Sequence, residues 1–382
     1  MKITPRFTLV LVLYATALFL GLGLFAYNSG QETLRSATIS ELQATALEKE
    51  AALNQWVEDK QADITALAAD PTVIQSAATL LTADRESLEF RDAYESFISS
   101  ARPRLISGEF LEVSLLHPET GEIIASSTPG EEGKFKEDRL YFLNGKSGPF
   151  VQNPYYSVAI QGIAMTAAAP LKASDNEFLA VVAAQLNLVE MNEIISRRTG
   201  IHETDDAYLV NTSNLFATQP RFLRDPAVLQ RGIHTEDVQR CLQKQSGVIE
   251  TPDYRNEPAI VVYRWLPERN MCLVVNLDET EAYQPIRAFG WTIAAGSMVA
   301  LLAAVILAFA LARSLTRPIL ALQEGTARFA RGDLDTRLDE TSQDELGQLA
   351  VEFNRMAQAL VEHQTSIRRR ADQFFNLGPD LF

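Results

Sequence analysis

The chain is poor in the residues that carry catalysis and metal binding. It has four histidines, at positions 117, 202, 234 and 363, and two cysteines, Cys241 and Cys272. None of the histidines sits with a cysteine or carboxylate cluster at metal-ligand spacing, so no metal ligand is assigned. There is no GxxxxGK[ST] run to cradle phosphates and no GxSxG elbow to present a serine. No catalytic residue and no cofactor is expected within these 382 residues. Positive charge is scarce as well. The net charge is −15, and residues 28–287 hold 38 acidic against 23 basic side chains. That sign excludes nucleic acid as a partner of this segment.

What the chain does have is two long apolar runs. Ala288 to Ala312 contains no charged residue, and about 25 such residues cross a hydrocarbon core of about 30 Å with some tilt. Phe7 to Tyr27 is the second run. It is long for a signal h-region, and no clear small-x-small cleavage site follows it, so an uncleaved anchor is favoured over a signal peptide. Lys2 and Arg6 precede the first run, and Arg313 and Arg317 follow the second. The excess of Lys and Arg on the cytoplasmic side of spans then puts both termini in the cytoplasm and residues 28–287 outside. Tyr27, Tyr283, Phe289 and Trp291 fall where rings meet the outer interface with lipid.

Outside, residues 31–69 form one helical pattern with a seam at Ile39, Leu42, Ala46, Leu53, Val57, Ile64 and Leu67. Glu50 and Lys60 interrupt it. Asp70-Pro71 ends it, because the residue before proline avoids the α region. Such a helix serves as a spine and as a dimer contact. Residues 72–105 continue as helical pieces. From Phe110 the period becomes strand-like, with a hairpin turn at 117–121. Residues 134–150 are polar and loop-like. Strands are expected over 156–170 and 177–188, then a short helix over 189–198. A smaller repeat follows: strands at 207–211, 215–220, 247–254, 259–266 and 271–277, with 225–245 helical or loop. An exported compartment permits a Cys241–Cys272 disulfide; two small buried residues are the alternative.

After the second span come two amphipathic helices and a connector. Ile319, Leu322, Thr326 and Phe329 step by three and four, as do Leu346, Leu349, Phe353, Met356 and Leu360. One copy has no core of its own; two would bury both stripes as a parallel four-helix bundle. The unit resembles a HAMP domain through Pro318 near the first helix start, Gly332-Asp333-Leu334 in the connector, and Asp344-Glu345-Leu346-Gly347 opening the second helix. The resemblance implies a relay, with Pro318, Gly332, Asp344, Glu345, Gly347, Leu349 and Phe353 as its residues. His363 is the only histidine after the second span. Gln364 follows it rather than an acid, so it reads as a polar residue of the coiled-coil seam, not as a phosphoacceptor.

Residues 31–280 resemble a double Cache sensor. The carriers are the anchor and long helix, Asp138-Arg139-Leu140-Tyr141-Phe142, the strand entry Pro154-Tyr155-Tyr156, and Tyr263-Arg264-Trp265-Leu266-Pro267. The resemblance implies a membrane protein of α+β class: a long helix and two PAS-like units, membrane-distal 31–198 and membrane-proximal 199–280, between spans 7–27 and 288–312, then HAMP over 313–364. It also implies a ligand in the distal unit. Arg139 would clamp a carboxylate, Tyr141, Phe142 and Tyr155 or Tyr156 would line the site, and Gln185 falls where amino-acid-binding members place an aspartate. A neutral amide there points to an organic acid or other small anion. The alternative is that Arg139 pairs with Glu137 or Asp138 and the aromatics are core.

Residues 365–382 resemble a coiled-coil exit and the opening of a PAS domain, through Gln373-Phe374-Phe375-Asn376-Leu377 and Pro379-Asp380-Leu381-Phe382. The whole implies a homodimeric inner-membrane receptor, embedded in lipid, whose missing output is a histidine kinase acting on a response regulator. A diguanylate cyclase is second, and a chemoreceptor third.

Overall fold

The computed structural model describes residues 3–158, 162–173, 175–198, 200, 202–338 and 345–376. The chain divides into two compact units, Gln31–Pro285 and Met1–Gly30 with Ile286–Phe382.

Helix α1 (Ile3–Ala68) runs through both without a break. In the Gln31–Pro285 unit its Leu42, Ala46, Leu53, Val57, Ile64 and Leu67 are buried in the chain's own core. The stripe expected to serve partly as a dimer contact is thus spent within one chain. Both polar interruptions are paired. Glu50 accepts from Arg264 Nε at 2.7 Å, and Lys60 lies 3.1 Å from Glu190. Asp70 ends the helix and caps the next, α2 (Pro71–Thr82), by accepting from the Thr72 N–H at 2.8 Å. Pro71 takes its first position, where a missing N–H costs nothing. Ser87 caps α3 (Leu88–Ile106) in the same manner.

Two antiparallel sheets follow. The distal sheet has the order β2-β1-β5-β4-β3, from β1 (Phe110–Leu116), β2 (Ile123–Ser126), β3 (Phe150–Ser157), β4 (Gly162–Lys172) and β5 (Phe178–Leu186). Helix α4 (Leu140–Gly145) lies before β3, where a loop is expected, and α5 (Leu188–Ser196) after β5. The proximal sheet has the order β6-β9-β8-β7, from β6 (Asp206–Asn211), β7 (Gly247–Pro252), β8 (Pro258–Leu266) and β9 (Met271–Asp278), with α6 (Glu236–Leu242) covering it. Residues 215–220, expected as a strand, make only isolated bridges at Leu215 and Phe216. One face of each sheet joins the helices in a single core, which holds Val113, Val182 and Ala167 from the distal sheet and Leu209, Val262 and Leu273 from the proximal one. The opposite faces carry separate clusters. Cys241 of α6 and Cys272 of β9 are joined, Sγ to Sγ at 1.99 Å, in the proximal one.

After α7 (Glu279–Ala282) comes α8 (Gln284–Ala330). Two helices, α1 and the α7–α8 stretch, are long and apolar enough to cross a membrane. In the unit formed by Met1–Gly30 and Ile286–Phe382, Gly23 approaches Ile293 and Gly290 approaches Tyr27, so small residues bring those helix segments together. No helix starts near Pro318. The proline lies inside the continuous α8, at the loss of one backbone bond. Gly332 follows the helix end with φ +97°, which favours glycine. Helix α9 (Glu345–Asn376) packs Ala350, Phe353 and Ala357 inward, with Phe353 edge-on to Phe329 at 5.6 Å. Asn354 clamps the connector by accepting from the Leu338 N–H and donating to its carbonyl, at 2.8 and 2.9 Å. Asp344, assigned to the relay, lies outside the described residues, as do 377–382 of the expected PAS-like opening; 373–376 continue α9.

Candidate functional site

The outer face of the distal sheet is apolar at its ends and polar in its middle. Glu112 on β1 pairs with Gln185 on β5, Gln185 with Thr166 on β4, and Thr166 with Gln152 on β3. Because side chains alternate across a strand, four residues in register share one face. A row of four polar side chains, with Ser114 and Ser126 beside Glu112, is not needed for packing.

Two pieces cover the row. Helix α4 is held by Gln152, whose Oε1 accepts from the Tyr141 N–H at 2.9 Å. Gly145 allows α4 to lie close: a Cβ there would come within 2.8 Å of Ala168 Cβ. The second piece is the loop before α4, which adds along the edge of β2. The Ile123 N–H donates to Lys134 O and the Lys136 N–H to Gly121 O, both at 2.9 Å. Gly121 has φ +66°, and a Cβ would meet the Glu137 backbone at 2.7 Å, so only glycine fits.

Between them lies a cavity of about 40 Å³, lined by Glu112, Ser114, Thr166 and Gln185 from the strands, Tyr141 and Tyr155, and Glu131 and Lys136 from the loop. By volume it holds roughly three waters. The Tyr155 hydroxyl bonds with Thr166 at 2.8 Å, and burial pushes the phenols of Tyr141 and Tyr155 up, so both stay neutral donors. Glu131 is buried against Lys134 and Lys136. Glu112 Oε1 accepts from Ser114 and Ser126 hydroxyls at 2.8 and 3.0 Å.

Of the residues picked from sequence, the structure brings Tyr141, Tyr155 and Gln185 into this cavity. Phe142 is core, buried in the apolar cluster beneath α4. Tyr156 is 54 % exposed. Arg139 is the N-cap residue of α4 and lies 3.4 Å from Asp138. It does not line the cavity, although its charge acts on both tyrosine hydroxyls. Sequence reasoning missed Glu112, Glu131, Lys136 and Thr166. The signal for Thr166 was a lone polar residue within AMTAAA, and for Glu112 a charge within the strand FLEVSLL, where Ser114 shares its face.

The corresponding face of the proximal sheet is filled. Tyr208, Phe216 and Tyr254 meet edge-on with centroids 5.2–5.7 Å apart, and the Tyr254 hydroxyl donates to the buried Asp206.

A Cache domain model matches residues 30–286, and a HAMP domain model matches residues 310–362. Among curated proteins, the chain is similar to the signal transduction histidine-protein kinase BaeS of Escherichia coli, 40% identical over 90 residues, 24% of this chain and 18% of that one. It is similar to the sensor protein kinase WalK of Staphylococcus aureus, 32% over 95 residues, 24% and 16%. It thus matches less than a fifth of either kinase's length. Among solved structures, the sensor domain of the Vibrio cholerae histidine kinase DctB covers 65% of this chain and 98% of its own, at 13% identity and a TM-score of 0.46. The sensory domain of the Campylobacter jejuni chemoreceptor Tlp3 with isoleucine bound covers 66% and 96%, at 11% and 0.48.

Proposed function

Since this chain belongs to the Cache-domain family and carries a HAMP domain after its second apolar helix, we propose that it is the sensory and relay part of a homodimeric inner-membrane sensor histidine kinase. A small polar molecule binds outside, in the cavity under α4, and the response is phosphotransfer to a response regulator inside. The observation that carries the sensing is the polar row Glu112–Gln185–Thr166–Gln152 beneath a covered cavity. The kinase output rests on the likeness to BaeS and WalK over about a quarter of the chain. The orientation rests on Lys2, Arg6, Arg313 and Arg317, whose positions favour both termini inside.

A second copy has a place to sit. Leu349, Met356 and Leu360 are 55%, 50% and 46% exposed on α9, although their spacing is that of a coiled-coil seam. Ala350, Phe353 and Ala357 already serve the packing within one chain. Covering the other stripe with the partner's helices completes a four-helix bundle. Ligand then acts by binding one arrangement of the bundle better than the other, and shifts the balance only by that difference.

The test uses the longer protein in nanodiscs. A compound that raises its melting temperature should also change its ATP-dependent autophosphorylation. Failure to form phosphohistidine at all would refute the kinase output. Formation that no stabilising compound alters would refute the sensing.

A further inference from the structure

The connector between the two sheets, from Arg197 to β6, is pinned to both α1 and α7. Lys49 of α1 is almost fully buried and donates to the carbonyls of Ile195 and Arg197 at 2.6 and 2.7 Å. Glu281 of α7 accepts from the Glu203 and Thr204 N–H groups, both at 2.7 Å. His202 joins the two helices. Its Nε2 lies 3.4 Å from Glu41 Oε2 on α1, its Nδ1 lies 3.5 Å from Glu281 Oε1 on α7, and its side chain is 21 % exposed. A neutral imidazole carries one N–H, so one of these carboxylates then faces a lone pair. Only the imidazolium donates to both. The two ring nitrogens point away from each other, so one metal ion could not take both carboxylates and the ring together.

We infer that His202 is a second input site whose ligand is a proton, and that protonation clasps α1 to α7. The site lies apart from the distal cavity and does not rest on the reading above. The charges around the ring suit it. Asp205 and Asp206 add negative charge beside Glu41 and Glu281, and Glu203 is next in the chain. Of the cations there, Lys49 is held by carbonyls, with Arg197 beside it, and Arg198 turns to Asp205 and to the carbonyl of His202 itself. Burial pushes the Glu281 carboxyl up, but its bonds to Thr204 and Glu203 outweigh this and hold it below its ordinary value. It therefore stays ionised across the range where imidazoles titrate. A second link between the same parts does not titrate there. Glu250 of β7 accepts from Arg35 of α1 at 2.6 Å and from the Tyr283 hydroxyl, just after α7, at 3.3 Å, and arginine and tyrosine keep their protons throughout that range. The acid-dependent part of the contact thus falls to His202. The clasp closes as pH falls and loses one arm as pH rises. It acts on α1, which brings the chain into the Gln31–Pro285 unit, and on α7, the last helix before that unit ends.

The test uses the full chain in nanodiscs, melted between about pH 8 and about pH 5.5, the range in which imidazoles change charge. The difference between wild type and variant is read, not the raw profile, because His117 acts in the opposite sense: its Nδ1 accepts from the Glu119 and Thr120 N–H groups. As the pH falls, wild type should gain about 2 °C over His202→Gln, the size expected of a partly exposed ion pair in a unit of this length. Glu41→Gln, which keeps an acceptor but loses the charge on α1, should remove about half of that gain. Hydrogen exchange over residues 279–285, corrected for the intrinsic pH dependence of amides, should slow in acid in wild type and not in His202→Gln. If His202→Gln does not fold, the difference between wild type and Glu41→Gln carries the test, since the Glu41 side chain is 49 % exposed and its change is tolerated. The inference is overturned if the wild-type advantage stays flat or shrinks in acid, if Glu41→Gln keeps all of it, or if exchange over 279–285 in wild type does not slow.

Discussion

Breaking the Cys241–Cys272 bridge tests how the proximal unit is held. The bridge joins α6 to β9 and closes 31 residues of chain. In the chain-entropy model the closed loop removes about 2.1 + 1.5R ln n cal/mol/K from the unfolded ensemble, or about 3.7 kcal/mol at 25 °C for a loop of this size. Both cysteines are fully buried, so a Cys241→Ala/Cys272→Ala variant also loses some packing, and the figure is a lower bound on that count. A unit the size of Gln31–Pro285 moves by about 2 °C per kcal/mol, so the melting temperature should fall by about 7 °C. The assay is a thermal melt of the full chain in nanodiscs, with and without reductant, beside the double variant. Maleimide labelling in denaturant counts the thiols. Two thiols should appear only after reduction, and reductant should leave the melt of the double variant unchanged. Thiols free before reduction, or a melt that moves by less than about 1 °C, would refute the reasoning.

The other predictions concern single side chains. Both carboxylate oxygens of Asp237 are buried without a hydrogen-bond partner, and burial, with Asp253 nearby, pushes its carboxyl up. The folded state then holds the proton more tightly than the unfolded chain. Its contribution is fully present below the ordinary carboxylate range and is lost as pH rises through the raised value. Asp237→Asn should therefore stabilise the chain by about 1–2 kcal/mol at neutral pH and not in acid, as melts across pH will show. Gly145→Ala should push α4 and its Tyr141 off Ala168, costing about 1–3 kcal/mol and weakening any ligand that enters the cavity, as calorimetry will show. On the proposed kinase reading, Leu349→Ala should shift the basal phosphorylation level while leaving ligand affinity of the Gln31–Pro285 unit unchanged, as paired activity and binding assays will show; Phe353→Ala, which also loses the Phe329 contact, should shift it further.

The large divisions were legible because they rest on period and charge. Two runs without charge, a 3.6-residue stripe ended by Asp70-Pro71, and strand-like runs bounded by turns all find their element. The misses come where tertiary contacts decide. Residues 140–145 are too short for a helical period, and their helix is held by Gln152 and by the close fit of Gly145. The run 215–220 has strand composition, but the chain beside it gives only isolated bridges, so its backbone turns instead of pairing. Pro318 suggested a helix start, yet α8 runs through it. In the site, Tyr141, Tyr155 and Gln185 came from the family resemblance, and the structure places all three at the cavity. Glu131 and Lys136 were not, because the loop that carries them becomes part of the cavity only by adding to the edge of β2.

The position of the cavity bears on how the proposed binding there would reach the end of the Gln31–Pro285 unit. Its floor is the outer face of the distal sheet, and the inner face of the same strands joins the core that α1, α2 and α3 share. Strands are stiff across their thickness, so a shift of β1 against β5 on one face is also a shift against those helices on the other. The core that receives it continues without interruption into the proximal sheet, through Leu209, Val262, Leu273 and Ala282. A more direct link starts at β3, which carries Tyr155 into the cavity. Two residues earlier, Asn153 donates to the carbonyl of Arg269 in the β8–β9 turn. Strand β9 begins two residues later and ends at Asp278, which meets Arg255 and leads into α7 and α8. The path is therefore one of packed elements and a single hydrogen bond from the Asn153 amide, and it ends on the strand that the disulfide ties to α6. A stiff β9 delivers a small displacement intact; a loosened one absorbs it. On that reasoning, reduction of the bridge loosens β9 and weakens the link from β3 to α7 while leaving the cavity itself in place.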